Sequence, residues 1–291
     1  MTSARPAQPA PPAHVAVIGG GRMGGGIAQS FATAGSTVTL VDDGARAAGL
    51  AVARVTESLE RAGDRGLLPA PAGTIAARIL PAASASELPA DTTLVVEAVF
   101  EDAGLKAAVL TDAEKAVGPD TILASNTSSL SVTELAAALK EPGRFLGLHF
   151  FNPVPASTLV ELVTAPATAP ATLDRALDFV HALGKRDVVV KDSPGFASSR
   201  LGVTLGLEAI RMVEEGVATP EAIDDAMMLG YKHPMGPLRL TDVVGLDVRL
   251  AIAEYLHATL GERFAPPPLL REKVARGELG RKTGKGFYTW N

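Results

Sequence analysis

The sequence contains no cysteine, which excludes a disulfide framework and a thiolate metal site. The absence of thiols is compatible with a reducing compartment, and we expect the protein to act in the cytoplasm. Any redox chemistry must come from a bound cofactor, because no thiol in the chain can carry electrons.

Long apolar runs and blocks of basic residues are also missing. No run reaches the roughly 18 uninterrupted apolar residues that a membrane-spanning helix needs, so we expect no membrane insertion. The formal net charge is -5, and acidic and basic residues are interspersed, so the basic footprint of a nucleic-acid-binding protein is lacking. A small molecule is therefore the expected partner.

The distribution of apolar residues predicts two domains within the 291 residues. From His14 onward, short runs of Val, Ile and Leu alternate with longer Ala-rich segments, which is typical of strands and helices in a mostly parallel sheet. After Asp192 the apolar residues follow helical spacing. We predict a disordered Pro/Ala-rich tail without an export signal over 1–13, an α/β domain over 14–190 and a smaller all-α domain over 191–291.

The local patterns place several elements within these domains. A surface helix is predicted over 45–66, where the apolar residues Leu50, Val52, Val55 and Leu59 recur among Glu and Arg. The segment 70–90 is rich in Pro and Ala, and its pattern specifies neither a helix nor a strand. Strands are predicted at HVAVI, TVTLVD, TLVVEAV, TILASN, FLGLHFF, LVELV and DVVVK.

A glycine motif follows the first predicted strand. Gly19, Gly21 and Gly24 form Gly-x-Gly-x-x-Gly at the start of a helical segment, with Arg22 and Met23 inside the motif. Such glycines allow a tight turn, close approach of a pyrophosphate to the backbone and close packing of helix on strand. Three further glycines nearby leave a merely flexible turn as the alternative. The context predicts a Rossmann-type dinucleotide site.

An acidic residue ends the next predicted strand. Asp42 lies 42 − 19 = 23 residues after Gly19, close to the separation of about 20 that is expected for a ribose-binding acid. A carboxylate there accepts hydrogen bonds from an unmodified ribose and repels a 2′-phosphate. We therefore predict NAD as the cofactor, although Arg46 nearby would favour NADP.

Motifs along almost the whole chain resemble, in order and spacing, those of the L-3-hydroxyacyl-CoA dehydrogenase family, which includes stand-alone bacterial 3-hydroxybutyryl-CoA dehydrogenases. The resemblance covers His14 to Asn291. It implies an NAD-binding domain, a smaller helical domain that supplies most of a homodimer contact, and oxidation of a 3-hydroxyacyl-CoA to a 3-ketoacyl-CoA. The motifs are VIGGGRMGGGIAQ, VVEAVFED, ILASNTSSLS, GLHFFNPVP, KDSPGF, LGYKHPMGPLRLTDVVGLD and GRKTGKGFY.

The resemblance implies that His149 is the catalytic base and Glu161 its carboxylate partner. The chemistry supports the pair, because an imidazole with a pKa near 6.5 accepts a hydroxyl proton around neutral pH, and a carboxylate fixes its tautomer. With NPVP as a turn between neighbouring strands, both side chains could point into one cleft. A satisfied core histidine and a solvent-facing glutamate are the alternatives.

The resemblance also assigns residues around the cofactor. Ser128 corresponds to a partner of the substrate oxygen and the nicotinamide, although a serine there could instead cap the helix predicted to begin at Ser131. Glu101 and Lys106 correspond to positions near the ribose and nicotinamide. Lys282, in a glycine-rich setting suited to close approach, corresponds to a cofactor contact from the other domain. Each charge could alternatively be an ordinary solvated one.

The remaining carried-over residues concern the substrate. Ser58 and Arg65 match family contacts to CoA, with Arg in place of the usual Lys. Asn152 belongs either to the polar cluster or to the turn before Pro153, and we leave it outside the site. Ser199 stands where most members have an Asn that contacts substrate, and AST follows NPVP in place of the common pattern. These departures leave the acyl group undetermined.

Three alternatives to the 3-hydroxyacyl-CoA reaction stay open. The same chemistry could act on a thioester of an acyl carrier protein. A dehydrogenase of free hydroxy acids or sugar acids could share the fold, but such enzymes generally lack the HFFNPVP segment. A silent NAD-binding structural or sensory protein is a different class, and the presence of both His149 and Glu161 argues against it.

Overall fold

The computed structural model describes residues 9–290, and the chain divides after Asp192 into two compact units, which we call the first unit and the second unit. The predicted tail over 1–13 falls mostly on residues 1–8, which lie outside the described residues. Residues 9–13 form no helix or strand, and Pro12 is buried. The predicted domain boundary near 190 lies close to the observed division.

An eight-stranded sheet forms the centre of the first unit, with the strand order β3-β2-β1-β4-β5-β6-β7-β8. All neighbours are parallel except β6 and β7. The order reverses between β1 and β4, and ligands of such sheets bind beyond the carboxyl ends of the strands at this point. The strands are β1 His14–Ile18, β2 Thr37–Val41, β3 Ile79–Ala82, β4 Leu94–Glu97, β5 Ile122–Ser125, β6 Phe145–Phe150, β7 Leu159–Thr164 and β8 Arg186–Lys191.

Helices accompany the sheet in the first unit and make up most of the second. Those of the first unit are α1 Arg22–Ala34, α2 Ala45–Asp64, α3 Ala72–Ala76, α4 Ala103–Ala116, α5 Val132–Ala136 and α6 Pro170–Ala182. Those of the second are α7 Ser198–Glu214, α8 Pro220–Asp225, α9 Pro237–Val244, α10 Leu246–Leu260 and α11 Pro268–Ala275. Shorter helical turns cover Ala85–Glu87, Pro142–Arg144, Ala226–Gly230, Glu262–Phe264 and Arg281–Thr283. Among the described residues, no helix combines the length and apolarity needed to cross a membrane.

The predicted fold class is confirmed: a mostly parallel α/β domain precedes a helical one. The central strands read as continuous apolar runs because they are buried on both faces. In the described part of the second unit, strand pairing is limited to isolated bridges at Gly280, Lys285 and Thr289. Separate apolar cores hold the two units, with Phe31 and Phe150 packed edge to face in the first.

Two details differ from the sequence-based expectation. The prediction did not identify β3, which is a strand of four residues at the edge of the described sheet, pairs with β2 and contains Pro81. Edge strands tolerate proline because one side needs no backbone donor, so the usual strand signal is weak there. In α2 the buried face comprises Ala48, Ala51, Val55 and Leu59, and the apolar Leu50 is exposed.

Candidate active site

The turn between β1 and α1 requires glycine at two of the three motif positions. Gly19 has φ 105°, and its N–H donates to the Val41 carbonyl at 2.8 Å. A Cβ on Gly24 would lie 1.8 Å from the Gly19 carbonyl oxygen, so only glycine lets the helix pack this closely. A Cβ on Gly21 would meet nothing within 4 Å. The N-terminus of α1 is therefore open to a ligand, and its free N–H groups suit a pyrophosphate.

Asp42 lies directly after β2 and beside this turn. Its Oδ2 is 2.7 Å from the position that a Gly20 Cβ would occupy, and its Oδ1 accepts the Asp43 N–H at 2.9 Å. Arg22 and Arg46 are exposed, and Met23 packs partly against the core. The open helix N-terminus with a carboxylate at the neighbouring strand end fits the phosphates and the ribose of a dinucleotide.

A cavity of about 380 Å³ adjoins the glycine turn within the first unit. Its lining includes Ser58 of α2 and Asn152 of the NPVP turn. Ser58 Oγ donates to Gln29 Oε1 at 2.8 Å, and Arg54, also in the lining, donates to the Gly20 carbonyl at 3.1 Å. Arg65 is an exposed residue directly after α2 and is not among the lining residues.

His149 and Glu161 are direct cross-strand partners in the antiparallel pair of β6 and β7. Opposed residues point to the same face of a sheet, so the imidazole and the carboxylate meet. His149 Nδ1 and Glu161 Oε2 are 2.8 Å apart, and the residues are 5% and 1% exposed. Because an ionised carboxylate only accepts, Nδ1 is the donor of this contact, and in the neutral imidazole Nε2 then keeps its lone pair. Glu161 is thus not the solvent-facing residue of the alternative interpretation.

The immediate surroundings of His149 are aromatic and polar. The Phe151 ring lies 4.4 Å from the imidazole, centroid to centroid. The N–H of Phe150 donates to Asn126 Oδ1 at 2.8 Å, which ties the end of β6 to the segment after β5. The sequence prediction did not include Asn126, although it stands in the ILASNTSSLS motif. The segment that contains Ser128 is therefore anchored beside the histidine strand.

Ser128 lies in this segment and is partly exposed. The helix cap is Ser131, whose Oγ accepts the Glu134 N–H at 3.2 Å, and α5 begins at Val132. The predicted helix start is confirmed, and capping does not account for Ser128. The Ser128 N–H instead donates to Glu101 Oε1 at 2.9 Å.

Glu101, which accepts the Ser128 N–H, forms an ion pair with Lys106. Lys106 is 1% exposed, so it is not a solvated surface charge. Its Nζ lies 3.3 Å from Glu101 Oε2. Burial raises the pKa of Glu101, but the Lys106 ammonium and the hydrogen bonds from Thr127 and Ser128 outweigh it and hold the pKa below its usual value.

Lys106 also contacts Glu97, which the sequence prediction did not identify. Lys106 Nζ is 2.7 Å from Glu97 Oε1, and Glu97 is fully buried at the end of β4. Burial raises the pKa of this carboxyl, and Lys106 opposes the shift. A charged residue in the apolar run VVEAV was the available signal.

Two of the predicted site residues belong to the second unit. Lys282 Nζ contacts both carboxylate oxygens of Asp247, at 2.6 and 2.5 Å, and lies beside Gly245. Ser199 lies in the first turn of α7 and is half-buried.

These features together define a class. A parallel sheet with a reversal point, an open glycine turn, an acid at the second strand end and a buried histidine–carboxylate pair characterise a dinucleotide-dependent dehydrogenase. The family model for the NAD binding domain of 3-hydroxyacyl-CoA dehydrogenase matches residues 14–193, and the C-terminal domain of the same family matches 195–290. The chain belongs to the 3-hydroxyacyl-CoA dehydrogenase family and is an NAD-binding oxidoreductase.

Individual relatives are similar over nearly their whole length. A 3-hydroxybutyryl-CoA dehydrogenase of Mycobacterium tuberculosis is 43% identical, with 95% of this chain and 98% of the relative covered. A probable 3-hydroxybutyryl-CoA dehydrogenase of Bacillus subtilis is 41% identical, with 95% and 97% covered. The crystal structure of the (S)-3-hydroxybutyryl-CoA dehydrogenase from Ralstonia eutropha has a TM-score of 0.90 at 41% identity, with 96% of this chain and 99% of that chain covered.

Proposed function

We propose that the protein oxidises an L-3-hydroxyacyl-CoA, such as 3-hydroxybutyryl-CoA, to the 3-ketoacyl-CoA with NAD, in a reversible reaction. The observation that carries the proposal is the buried contact of 2.8 Å between His149 Nδ1 and Glu161 Oε2. Removal of hydride from a secondary alcohol also requires a base for the hydroxyl proton, and this pair supplies one. The substrates in the names of the relatives agree with this reaction.

The protein's own groups handle the proton. His149 Nε2 accepts it from the 3-hydroxyl, and the Glu161 carboxylate stabilises the resulting imidazolium through Nδ1–H. Ser128 and Ser199 hold the substrate oxygen. NAD, when bound, supplies the acceptor for the hydride. In the reverse direction, the imidazolium returns the proton to the oxygen of the ketone.

Several residues would hold the cofactor. Gly19, Gly21 and Gly24, with Arg22 and Met23, form the pyrophosphate turn. Asp42 accepts hydrogen bonds from the adenosine ribose, and its charge disfavours a 2′-phosphate. Around the nicotinamide half, the proposal places Glu101, Lys106, Ser128 and Lys282.

The CoA portion would bind along α2. Ser58 lines the cavity beside the glycine turn, and Arg65, directly after the end of α2, lies 65 − 58 = 7 residues further along the chain. Seven residues are about two helical turns, so Arg65 follows the helix face that carries Ser58, and both can contact one extended ligand. The Arg65 guanidinium suits a phosphate because it can bind two oxygens at once.

We further propose a homodimer that works in the cytoplasm, without a nucleic-acid or membrane partner. Apolar side chains of the second unit support the dimer: Leu201 of α7 is 69% exposed, and Leu240, Val244 and Val248 follow one another at intervals of four residues and are each more than a third exposed. Light scattering of wild type and Leu201→Glu tests this. A dimer that becomes monomeric supports the contact, and a wild-type monomer refutes it.

An NADH absorbance assay tests the reaction. We expect NADH from 3-hydroxybutyryl-CoA or longer 3-hydroxyacyl-CoAs, and its loss in His149→Gln. A carrier-protein thioester and free 3-hydroxybutyrate run beside them distinguish the alternative substrates. No NADH from any thioester, or a fully active His149→Gln, would refute the proposal. NADH binding without any turnover would indicate the silent binding protein.

A further inference from the structure

Glu97 is a buried carboxylate without a direct role in the proposed reaction. It ends β4 with none of its surface exposed, and burial raises its pKa even though Lys106 lies beside it. An ionised carboxylate in such surroundings costs stability, because its partners do not fully replace water. Groups of this kind occur more often at functional sites than elsewhere.

The two oxygens of Glu97 are held in different directions. Oε1 accepts from Lys106 Nζ and from the Val99 N–H, each at 2.7 Å. Oε2 accepts from Ser125 Oγ at 2.5 Å. Two arms therefore leave this carboxylate, one through Lys106 and one through Ser125.

Both arms end on the segment that contains Ser128. Through the Ser125 arm, Ser125 Oγ accepts the Thr127 N–H at 3.2 Å. Through the Lys106 arm, Lys106 Nζ contacts Glu101 Oε2, and Glu101 Oε1 accepts the N–H groups of Ser128 and Ser129 at 2.9 and 3.3 Å.

The rest of this segment is tied to the same group. Thr127 Oγ1 donates to Glu101 Oε1 at 2.6 Å and accepts the Leu130 N–H at 3.0 Å. Every backbone N–H from Thr127 to Leu130 thus has an acceptor, and the acceptors lead back to Glu97 by both arms. This accounts for all four backbone donors of the segment without help from a ligand.

We propose that Glu97 is a positioning residue for the reaction: it fixes Lys106 and Ser125, and through them the backbone that presents Ser128. The inference rests on the proposed function, in which Ser128 contacts both the substrate oxygen and the cofactor. It assigns a role in catalysis to a residue that contacts neither ligand.

Glu97→Gln tests the inference with little change of shape. Glutamine has one acceptor oxygen and one donor nitrogen, so it cannot accept from Lys106, Val99 and Ser125 together. We expect kcat to fall about tenfold, which is the effect of losing one charge-assisted hydrogen bond. The Kd for NADH, measured by fluorescence titration without substrate, should rise by about the same factor.

Glu114→Gln is the matched control. Glu114 is also a buried carboxylate, but its oxygens accept the N–H groups of Lys140 and Glu141 and contact Arg144, all of which are outside the segment that contains Ser128. Both variants should lower Tm to a similar degree. Only Glu97→Gln should change kcat and the Kd for NADH.

Ser125→Ala provides a second variant if Glu97→Gln does not fold. It removes the Ser125 arm and leaves the Lys106 arm, so we expect a smaller loss of kcat, about threefold. In the double variant Ser125→Ala/Glu97→Gln, the fold-loss of kcat should be smaller than the product of the two single fold-losses. Both substitutions disrupt the same hydrogen bond between Ser125 and Glu97, so their effects are not independent.

Two results would overturn the inference. One is that Glu97→Gln keeps the kcat and the Kd for NADH of wild type, or that Ser125→Ala keeps both values if Glu97→Gln does not fold. The other is that Glu114→Gln and Glu97→Gln have the same Tm and lose kcat to the same extent. Failure of the proposed function is a separate result: wild type would oxidise no 3-hydroxyacyl thioester, while the Kd for NADH still reports on Glu97.

Discussion

His149 and Glu161 are neighbours because β6 and β7 are antiparallel and in a register that opposes these two residues. A shift of one residue would place Glu161 on the other face of the sheet. The register thus brings a carboxylate to the imidazole Nδ1 from 12 residues away in the chain.

Glu161→Gln should lower kcat by about 10²- to 10⁴-fold, because an amide can donate to Nδ1 and so favour the tautomer with a protonated Nε2. The Kd for NADH should stay unchanged. Steady-state kinetics and NADH titration check this. Asp187→Asn is the control, since it alters a histidine–carboxylate pair, His181 with Asp187 at 2.7 Å, that is partly exposed. Equal losses in both variants would contradict the assignment.

Asp42→Ala should lower kcat/KM for NAD by about 10- to 100-fold, because the ribose loses hydrogen bonds to a charged group. The variant should lower kcat/KM for NADP by a smaller factor. The ratio of the two efficiencies is the measured quantity. Asp43→Ala, which changes the exposed neighbour, should leave the ratio as in wild type. A wild-type preference for NADP would refute the role of Asp42.

Ser199→Asn should shift the acyl preference, because the longer side chain fills space that Ser199 leaves and adds a hydrogen-bonding group. We expect kcat/KM for longer 3-hydroxyacyl-CoAs to fall about tenfold relative to 3-hydroxybutyryl-CoA. Thr204→Asn, at an exposed position of the same helix, is the control. An unchanged substrate profile would show that Ser199 does not shape the pocket.

Arg249→Met should stabilise the second unit. Arg249 is buried, burial lowers its pKa to about 10, and its Nε has no hydrogen-bond partner among residues 9–290. Removing a buried charge whose Nε–H makes no hydrogen bond should raise the free energy of unfolding by about 1–3 kcal/mol. Urea unfolding followed by the fluorescence of Trp290, the single tryptophan, measures it.

Arg211→Met is the matched control for that measurement. Arg211 donates to the Ala265 carbonyl at 2.9 Å, so its loss should destabilise by about 1 kcal/mol. A destabilised Arg249→Met would contradict the prediction and show that contacts of the other two guanidinium nitrogens outweigh the unpaired Nε–H.

The stability of wild type should depend on pH through Glu97. Burial raises its pKa above the usual value of 4.5, so between 4.5 and the raised value the folded state binds more protons than the unfolded state. Stability from this group therefore falls as pH rises through that window. Urea titrations followed by circular dichroism give the unfolding free energy of wild type and of Glu97→Gln at each pH. The value for wild type minus the value for the variant should decrease as pH rises through this window. A constant difference would contradict the shift.

Local patterns in the sequence were sufficient for much of the fold. Continuous apolar runs marked the buried strands, and helical spacing marked α2 and the second unit. The strand β3 was missed because its four residues lie at a sheet edge, include a proline and carry no periodic signal. The pattern alone left Glu161 more consistent with a solvent-facing residue, and its burial depends on the pairing of β6 with β7.

The sequence by itself determined the glycine turn, the acid after the second strand and the family, and it supplied the candidates for the reactive side chains, because each depends on residues close together in the chain or on motifs in a fixed order. Only the tertiary structure decided that Lys106 is buried, that Glu97 connects it to Ser125, and that both brace the segment of Ser128. Those contacts join β4, α4 and the end of β5, and contacts between such distant elements leave no local periodicity in a sequence.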